Sequence, residues 1–238
     1  MSKPLSLRVI ELGDEATARL EIWRQNLLRL SAGGLHGVVE TDPLGQELRG
    51  AAAVAALAEM ERLLREFLVE LSLELDRAAV PIRELTPGLR SLTAHAAFQS
   101  MTVSSKGETH WENRALVTQL DQSTQIAQFP SRSGSRGPQP PLDGKTIRAG
   151  HFERIWALLD LAGDAVPLAA MGSSLNALST LRNEVAHAND ALSEVFHEQT
   201  LGKSAADLAE HLRQCVLLVD HFCLATSAYA AARGYQMT

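Results

Sequence analysis

The chain has 238 residues, enough to bury a sizeable hydrophobic core as one domain or as two small ones. Its hydrophobic content of 45% is normal for a globular protein, while an aromatic content of only 5% and many Ala and Leu residues favour helices over strands. The formal net charge of −6 excludes a uniformly basic nucleic-acid-binding protein but is compatible with a local basic patch.

The two cysteines and the first residues predict a cytoplasmic protein. Cys215 and Cys223 lie among apolar residues of one predicted helix, and helical residues so far apart are separated by about 12 Å, beyond the reach of a disulfide. Buried, reduced thiols are typical of the cytoplasm. The start of the chain lacks the layout of a signal peptide, and no apolar run is expected to span a bilayer.

Apolar residues recur at helical spacing through most of residues 1–128. The predicted helices are Glu15–Leu30, Ala51–Arg77, one that begins at Thr86 and Pro87, and Trp111–Ala127. The glycines after Leu30 are typical of a helix end, and His36–Gly50, which contains Pro43, is predicted to be a loop. In the fourth helix, the residues expected to be buried are Leu116, Leu120 and Ile126.

Residues 129–149 lack helical periodicity and are rich in Pro, Gly and Ser, which predicts a loop between the two sets of helices. The loop contains one acidic residue, Asp143, and four basic residues: Arg132, Arg136, Lys145 and Arg148. One interpretation is a solvated loop that its charges keep soluble. The other is a mobile basic arm that helps to hold the phosphate backbone of RNA.

Residues 150–238 are predicted to form three further helices: His151–Ala162, Ser173–Ala186 and Ser204–Arg233. Ser204 and Asp207 form a capping pattern at the start of the last helix. That helix is about 45 Å long, which exceeds the height of a small bundle, so part of it is available to pack on a second subunit. The expected fold is one all-α domain over residues 1–238, an elongated antiparallel bundle of about seven helices.

The stretch with the most specific chemistry is Leu181–Asp190, at the end of the helix Ser173–Ala186. Asn183 and His187 are four residues apart, so they lie on one face of a continuous helix. Arg182 is one step round the helix, and its long side chain can reach the same place. In the plainer interpretation, His187 faces solvent near a helix C-terminus, where the macrodipole favours an imidazolium, and Arg182 is an ordinary surface charge.

The sequence Arg182-Asn183-Glu184-Val185-Ala186-His187 resembles the signature of the HEPN superfamily, an Arg followed at short spacing by a His, often with a polar residue directly after the Arg. The helical layout is most similar to the stand-alone prokaryotic MAE-type branch. The resemblance implies a metal-independent endoribonuclease without a cofactor, in which Arg182 holds the phosphate, His187 is the general base or acid, and Asn183 supports them. It also implies a homodimer with a composite site, and a role as the toxin of a toxin–antitoxin pair, with an antitoxin protein as partner, or as a phage-defence effector.

The chemistry of RNA cleavage fits these residue types. The 2′-hydroxyl is the nucleophile, a histidine that titrates near neutrality can move the protons, and a guanidinium can stabilise the phosphorane. One His serves poorly as acid and base at the same instant, whereas a twofold dimer supplies two. Some HEPN toxins carry a modified Tyr where this chain has Asn189, so no nucleotidyltransferase partner is expected.

Two other functions stay open from the sequence. One is a catalytically inactive HEPN-like module that binds RNA, a nucleotide or a protein partner, which the acidic net charge fits. The other is a helical interaction protein with no site. The remaining histidines, His151 and His211 among them, show no clustered ligand spacing, so ordinary structural or surface roles and no metal site are predicted.

Overall fold

The computed structural model describes residues 3–103, 108–129, 140–187, 192–196 and 202–237. These residues form nine α-helices and two single-turn 3-10 helices, and isolated bridges are the only β-structure among them, which confirms the all-α class. The α-helices are α1 (Leu5–Ser31), α2 (Pro43–Ala78), α3 (Pro87–Thr93), α4 (His95–Val103), α5 (Glu108–Thr118), α6 (Ala149–Leu159), α7 (Ala169–His187), α8 (Leu192–Val195) and α9 (Ala205–Ala231).

Four long helices, α1, α2, α7 and α9, form an antiparallel bundle. Polar pairs between the helices mark their register: Arg8 with Glu70 and Arg19 with Glu59 between α1 and α2, Ser6 with Ser227 and Thr17 with Asp220 between α1 and α9, and Ser174 with His211 and Glu184 with Lys203 towards α7. In each set of pairs, the residue numbers rise along one element and fall along the other, so the neighbouring helices run antiparallel. The C-terminal end of α7 therefore lies at the end of the bundle where α1 ends and α9 begins.

Buried apolar side chains of α1, α2, α3, α4, α6, α7 and α9 belong to one continuous cluster. Near its centre, the ring of Phe222 in α9 makes edge-to-face contacts with Phe67 of α2, at 5.1 Å between centroids, and with Phe152 of α6, at 5.4 Å. These contacts fix α6 on the bundle, with its first turn beside α7.

The first two helices begin earlier than predicted. α1 begins at Leu5 rather than Glu15, and Leu5, Val9 and Leu12 are buried. α2 begins at Pro43, inside the predicted loop His36–Gly50. Because the first helical position needs no backbone N–H donor, Pro43 opens the helix instead of preventing it.

The region after α4 also differs from the prediction. The predicted helix Trp111–Ala127 ends at Thr118, and a 3-10 turn and an extended segment follow. Ile126 forms an isolated bridge with Pro81 and is 50% exposed, and Leu116 is 49% exposed, so the prediction that both are buried is wrong. Pairing with a distant segment overrides the helical periodicity here.

By length and composition alone, α9 could cross a membrane, which contradicts the expectation that no apolar run is long enough. Its most apolar 18-residue window is 44% buried, and Leu212, Leu218 and Phe222 lie in the core. α1 and α9 both have 27 residues and pack along each other. The length of α9 is therefore matched within the chain and gives no argument for a second subunit.

Candidate functional site

The motif residues lie on α7, which is continuous to His187 as the spacing predicts. Leu175, Leu178 and Leu181 are buried against the bundle, and Arg182 and His187 are exposed. Five helical residues separate positions by about 140° around the axis and about 7.5 Å along it, so Arg182 and His187 do not converge through the backbone alone.

Within one subunit, the structure brings Arg182 and Asn183 together. Nη1 of Arg182 donates to Oδ1 of Asn183 at 3.3 Å. Among the described residues, no hydrogen bond joins His187 to either of them. The imidazole is thus left at the surface, beyond the guanidinium–amide pair.

Residues 143–148, which we call the docked segment, contact the polar face of α7 through Thr146 and Arg148. Three hydrogen bonds join the segment and Ala149 to α7: Thr146 Oγ1 to Asn183 Oδ1 (3.2 Å), Arg148 Nε to Ser179 Oγ (3.2 Å) and Ala149 N–H to Asn176 Oδ1 (3.4 Å). The partners run in opposite chain directions, and Ile147 is buried between the two polar residues of the segment. This part of the predicted loop is therefore not simply solvated but packed against the motif helix.

A buried histidine holds the docked segment. His151, which is 4% exposed, accepts the backbone N–H of Arg148 at Nδ1, 3.1 Å away. Its other ring nitrogen, Nε2, lies 3.0 Å from Oδ1 of Asp143 and donates to it, because Nδ1 is the acceptor. Arg154 bonds the second oxygen of Asp143 at 2.9 Å. The hydrogen bonds from His151 and Arg154 hold the pKa of Asp143 well below its usual value.

The four basic residues predicted to bind RNA have different positions. Arg148 lies against α7, with its two terminal nitrogens unpaired among the described residues, and Lys145 is exposed on the same segment. Arg132 and Arg136 lie outside the described residues. Because Ser179, which holds Arg148, is one helical turn before Asn183, which holds Arg182, the anchors of the two guanidinium groups are about 6 Å apart.

Glu184, the acid next to the Arg182–Asn183 pair, forms an ion pair. It pairs with Lys203, whose Nζ lies 2.7 Å from Oε2, and Nζ also donates to the carbonyl oxygen of Val195. The ion pair balances the acid beside Arg182 and ties α7 to the connection that precedes α9.

A buried arginine braces the same end of the bundle. Arg49 is 5% exposed, and its guanidinium donates to the carbonyl oxygens of Lys203 and Glu40, each at 2.9 Å. The group also lies 4.4 Å from the ring centroid of Phe196. Burial lowers the pKa of Arg49, and the charge of Glu40 opposes that shift. Arg49 therefore joins α2, the α1–α2 loop and the segment before α9.

Sequence reasoning missed Thr146 and the pairing of His151 with Asp143. The signal for the first is the alternation of polar, apolar and polar residues at Thr146, Ile147 and Arg148, since an extended chain turns alternate residues to the same side. No local pattern indicates the helix that they face.

The site is rich in hydrogen-bond donors. It combines two anchored guanidinium groups, an amide and an exposed imidazole, while the acids Asp143 and Glu184 are paired. Within the part of the chain that the structure describes, no group of three or more His, Cys, Asp or Glu side chains could hold a metal ion. Such an arrangement can bind an anion and move a proton beside it. No family model, curated protein or solved structure matches the chain.

Proposed function

We propose that the chain is a metal-independent endoribonuclease of HEPN type that acts as a homodimer. The observation that carries the proposal is the position of Arg182 and His187, both exposed at the C-terminal end of a helix in an antiparallel helical bundle. The neighbouring acid is paired, and a second arginine, Arg148, is anchored one turn away.

The reaction is an attack by the 2′-hydroxyl of RNA on the adjacent phosphorus. One His187 takes the proton of the hydroxyl, Arg182 binds the non-bridging oxygens, whose negative charge grows, and a protonated His187 gives a proton to the leaving 5′-oxygen. Arg148 and Lys145 contact the neighbouring phosphates of the strand. No step needs a cofactor, because the substrate supplies the nucleophile.

A homodimer would bring together an arginine and a histidine that one chain holds apart. Because Arg182 and His187 are about 140° apart around α7, one copy does not focus both on one phosphate. A twofold axis beside the end of α7 brings Arg182 of each copy towards His187 of the other and provides the two imidazoles that acid–base catalysis requires.

In a cell, the activity is that of a toxin restrained by an antitoxin protein or of a phage-defence effector in the cytoplasm.

The test compares His187→Asn with His36→Asn, which removes another exposed imidazole. His36 has a φ of 55°, a conformation that Asn tolerates. We expect His187→Asn to lose at least about 100-fold in cleavage rate on transfer RNA and messenger RNA, and the control to cut like the parent. DNA should resist all three proteins, because it has no 2′-hydroxyl. Cleavage by His187→Asn at the parental rate would refute the ribonuclease proposal.

A catalytically inactive module that binds RNA or a nucleotide is the second candidate. It is favoured by the net charge of −6 and by Asn183, whose amide oxygen is already engaged by Thr146 and Arg182. Binding of RNA by the parent protein without cleavage, under conditions in which the dimer forms, would support this function instead.

A further inference from the structure

We propose that Thr146 is a positioning residue that turns the amide group of Asn183 outwards, so that Asn183 and Arg182 together bind a phosphodiester of a single strand. The inference deepens the proposed function, because it concerns the same site, and it is tested by binding rather than by cleavage. Nothing in the motif itself indicates Thr146, which precedes Asn183 by 37 residues.

The side-chain oxygen of Asn183 accepts two hydrogen bonds. An amide oxygen has two lone pairs, and the amide nitrogen has two hydrogens to donate. Thr146 Oγ1 donates to Oδ1 of Asn183 at 3.2 Å, and Arg182 Nη1 donates to the same atom at 3.3 Å. Both lone pairs are therefore used, and the amide can offer only N–H donors to a ligand.

These two hydrogen bonds limit what the amide of Asn183 can contact. Its oxygen cannot accept a hydrogen bond from a ring N–H of His187, or from the 2′-hydroxyl of a substrate, without losing one of the two existing bonds. An N–H donor beside a guanidinium instead matches the oxygens of an anion, for which Arg182 keeps its Nε and Nη2 donors. The pair thus forms a small anion site made only of donors.

The surroundings favour a polyanion over a single anion. Arg148 is an exposed residue anchored to Ser179, one turn before Asn183, and its terminal nitrogens have no partner among the described residues. The nearby acids do not oppose binding, because Asp143 is held by His151 and Arg154, and Glu184 by Lys203. A strand with consecutive phosphates can therefore contact Arg182 and Arg148 at once.

The docked segment explains why Thr146 can hold the amide. Ile147 is buried, and His151 bonds both the start and the end of the segment through Asp143 and the Arg148 N–H. The backbone of Thr146 is thus fixed on both sides. Without the hydroxyl, only the exposed Nη1 of Arg182 holds the oxygen, at 3.3 Å. When Arg182 binds a phosphate instead, the amide can turn by half a rotation and present its oxygen, which repels the phosphate.

The experiment uses the full chain with Thr146→Val, which removes the hydroxyl at nearly constant shape, and Thr146→Ser, which keeps it. The matched control is Thr180→Val on α7, whose hydroxyl bonds only the backbone carbonyl of Asn176 among the described residues. The probe is a short single-stranded DNA oligonucleotide of mixed sequence, which carries phosphodiesters but no 2′-hydroxyl and so is not cut. The dissociation constant is measured by titration, and the side-chain amide signal of Asn183 is followed by NMR.

We expect Thr146→Val to bind the oligonucleotide about tenfold more weakly, as for the loss of one charge-assisted contact. Thr146→Ser and Thr180→Val should stay within about twofold of the parent. The oligonucleotide should shift the side-chain amide signal of Asn183 in the parent and not in Thr146→Val. The backbone signals of free Thr146→Val should match those of the free parent, which shows that the fold is unchanged.

The proposal is overturned if the parent chain does not bind the oligonucleotide, if Thr146→Val binds as tightly as the parent, or if Thr146→Ser is as weak as Thr146→Val. Failure of the ribonuclease proposal gives a different result, namely RNA that is bound but not cut, with DNA binding still dependent on the hydroxyl. Cleavage that requires His187, together with DNA binding indifferent to Thr146, would leave the ribonuclease proposal and remove this one.

Discussion

Replacing Gly13 by Ala tests the close approach of α1 and α9. A Cβ on Gly13 would lie 2.8 Å from Sγ and 3.1 Å from Cβ of Cys223, with Cγ1 of Val219 at 3.9 Å. Rotation of the thiol relieves the first contact but not the second, so the helices must separate. Overpacking of this kind costs about 1–3 kcal/mol, and Ala regains about 1 kcal/mol over Gly in a helix interior. We expect a net loss of about 1 kcal/mol in the free energy of unfolding.

The assay is urea denaturation, with Gly150→Ala in α6 as the matched control. A Cβ on Gly150 meets only Oε2 of Glu153, at 3.9 Å, so this change should be neutral or stabilising by up to about 1 kcal/mol. In a Cys223→Gly background, the cost of Gly13→Ala should fall, since both contacting atoms of Cys223 are gone. Equal stabilisation by both alanine substitutions, or a cost that ignores Cys223, would refute the close packing.

Two further variants test polar side chains that are buried or half-buried in the bundle. Arg49→Met leaves the carbonyl oxygens of Lys203 and Glu40 without their donor, so we expect the free energy of unfolding, measured in urea, to fall by about 2–4 kcal/mol. Its control, Arg29→Met at an exposed arginine, should change that free energy by less than about 0.5 kcal/mol. Burial lowers the pKa of His211 below its ordinary 6.5, so the unfolded chain takes up the proton first and the free energy of unfolding falls as the pH drops below about 6.5. His211→Gln should reduce this loss of stability between pH 7.5 and 5.5, and an unchanged loss would assign it to other groups.

Local sequence signals determined the all-α class and several helix ends. Ser204 accepts the backbone N–H of Asp207, and the carboxylate of Asp207 accepts that of Ser204, as the capping pattern predicts. Pro87 opens α3, and α7 continues to His187, so that Asn183 shares a face with His187. These features depend on residues three or four positions apart, which the periodicity of a helix relates directly.

The same local signals, however, predicted wrong helix boundaries where distant segments of the chain meet. α1 extends to Leu5 because its first turns bury apolar side chains in the core, and Ile126 leaves the helical pattern because residues 80–83 offer backbone partners. In both cases tertiary contacts decide an outcome that local propensity leaves open.

The motif fixed which residues of α7 share a face, but only the tertiary structure decided what they contact. Docking of residues 143–148 gives Asn183 its bond to Thr146, places Arg148 near Arg182 and buries His151 against Asp143. Helical spacing relates neighbours along one element, whereas these bonds depend on how a loop packs on a helix far along the chain. Their formation follows from burial of Ile147 and from the need of buried polar groups for partners, neither of which a sequence pattern records.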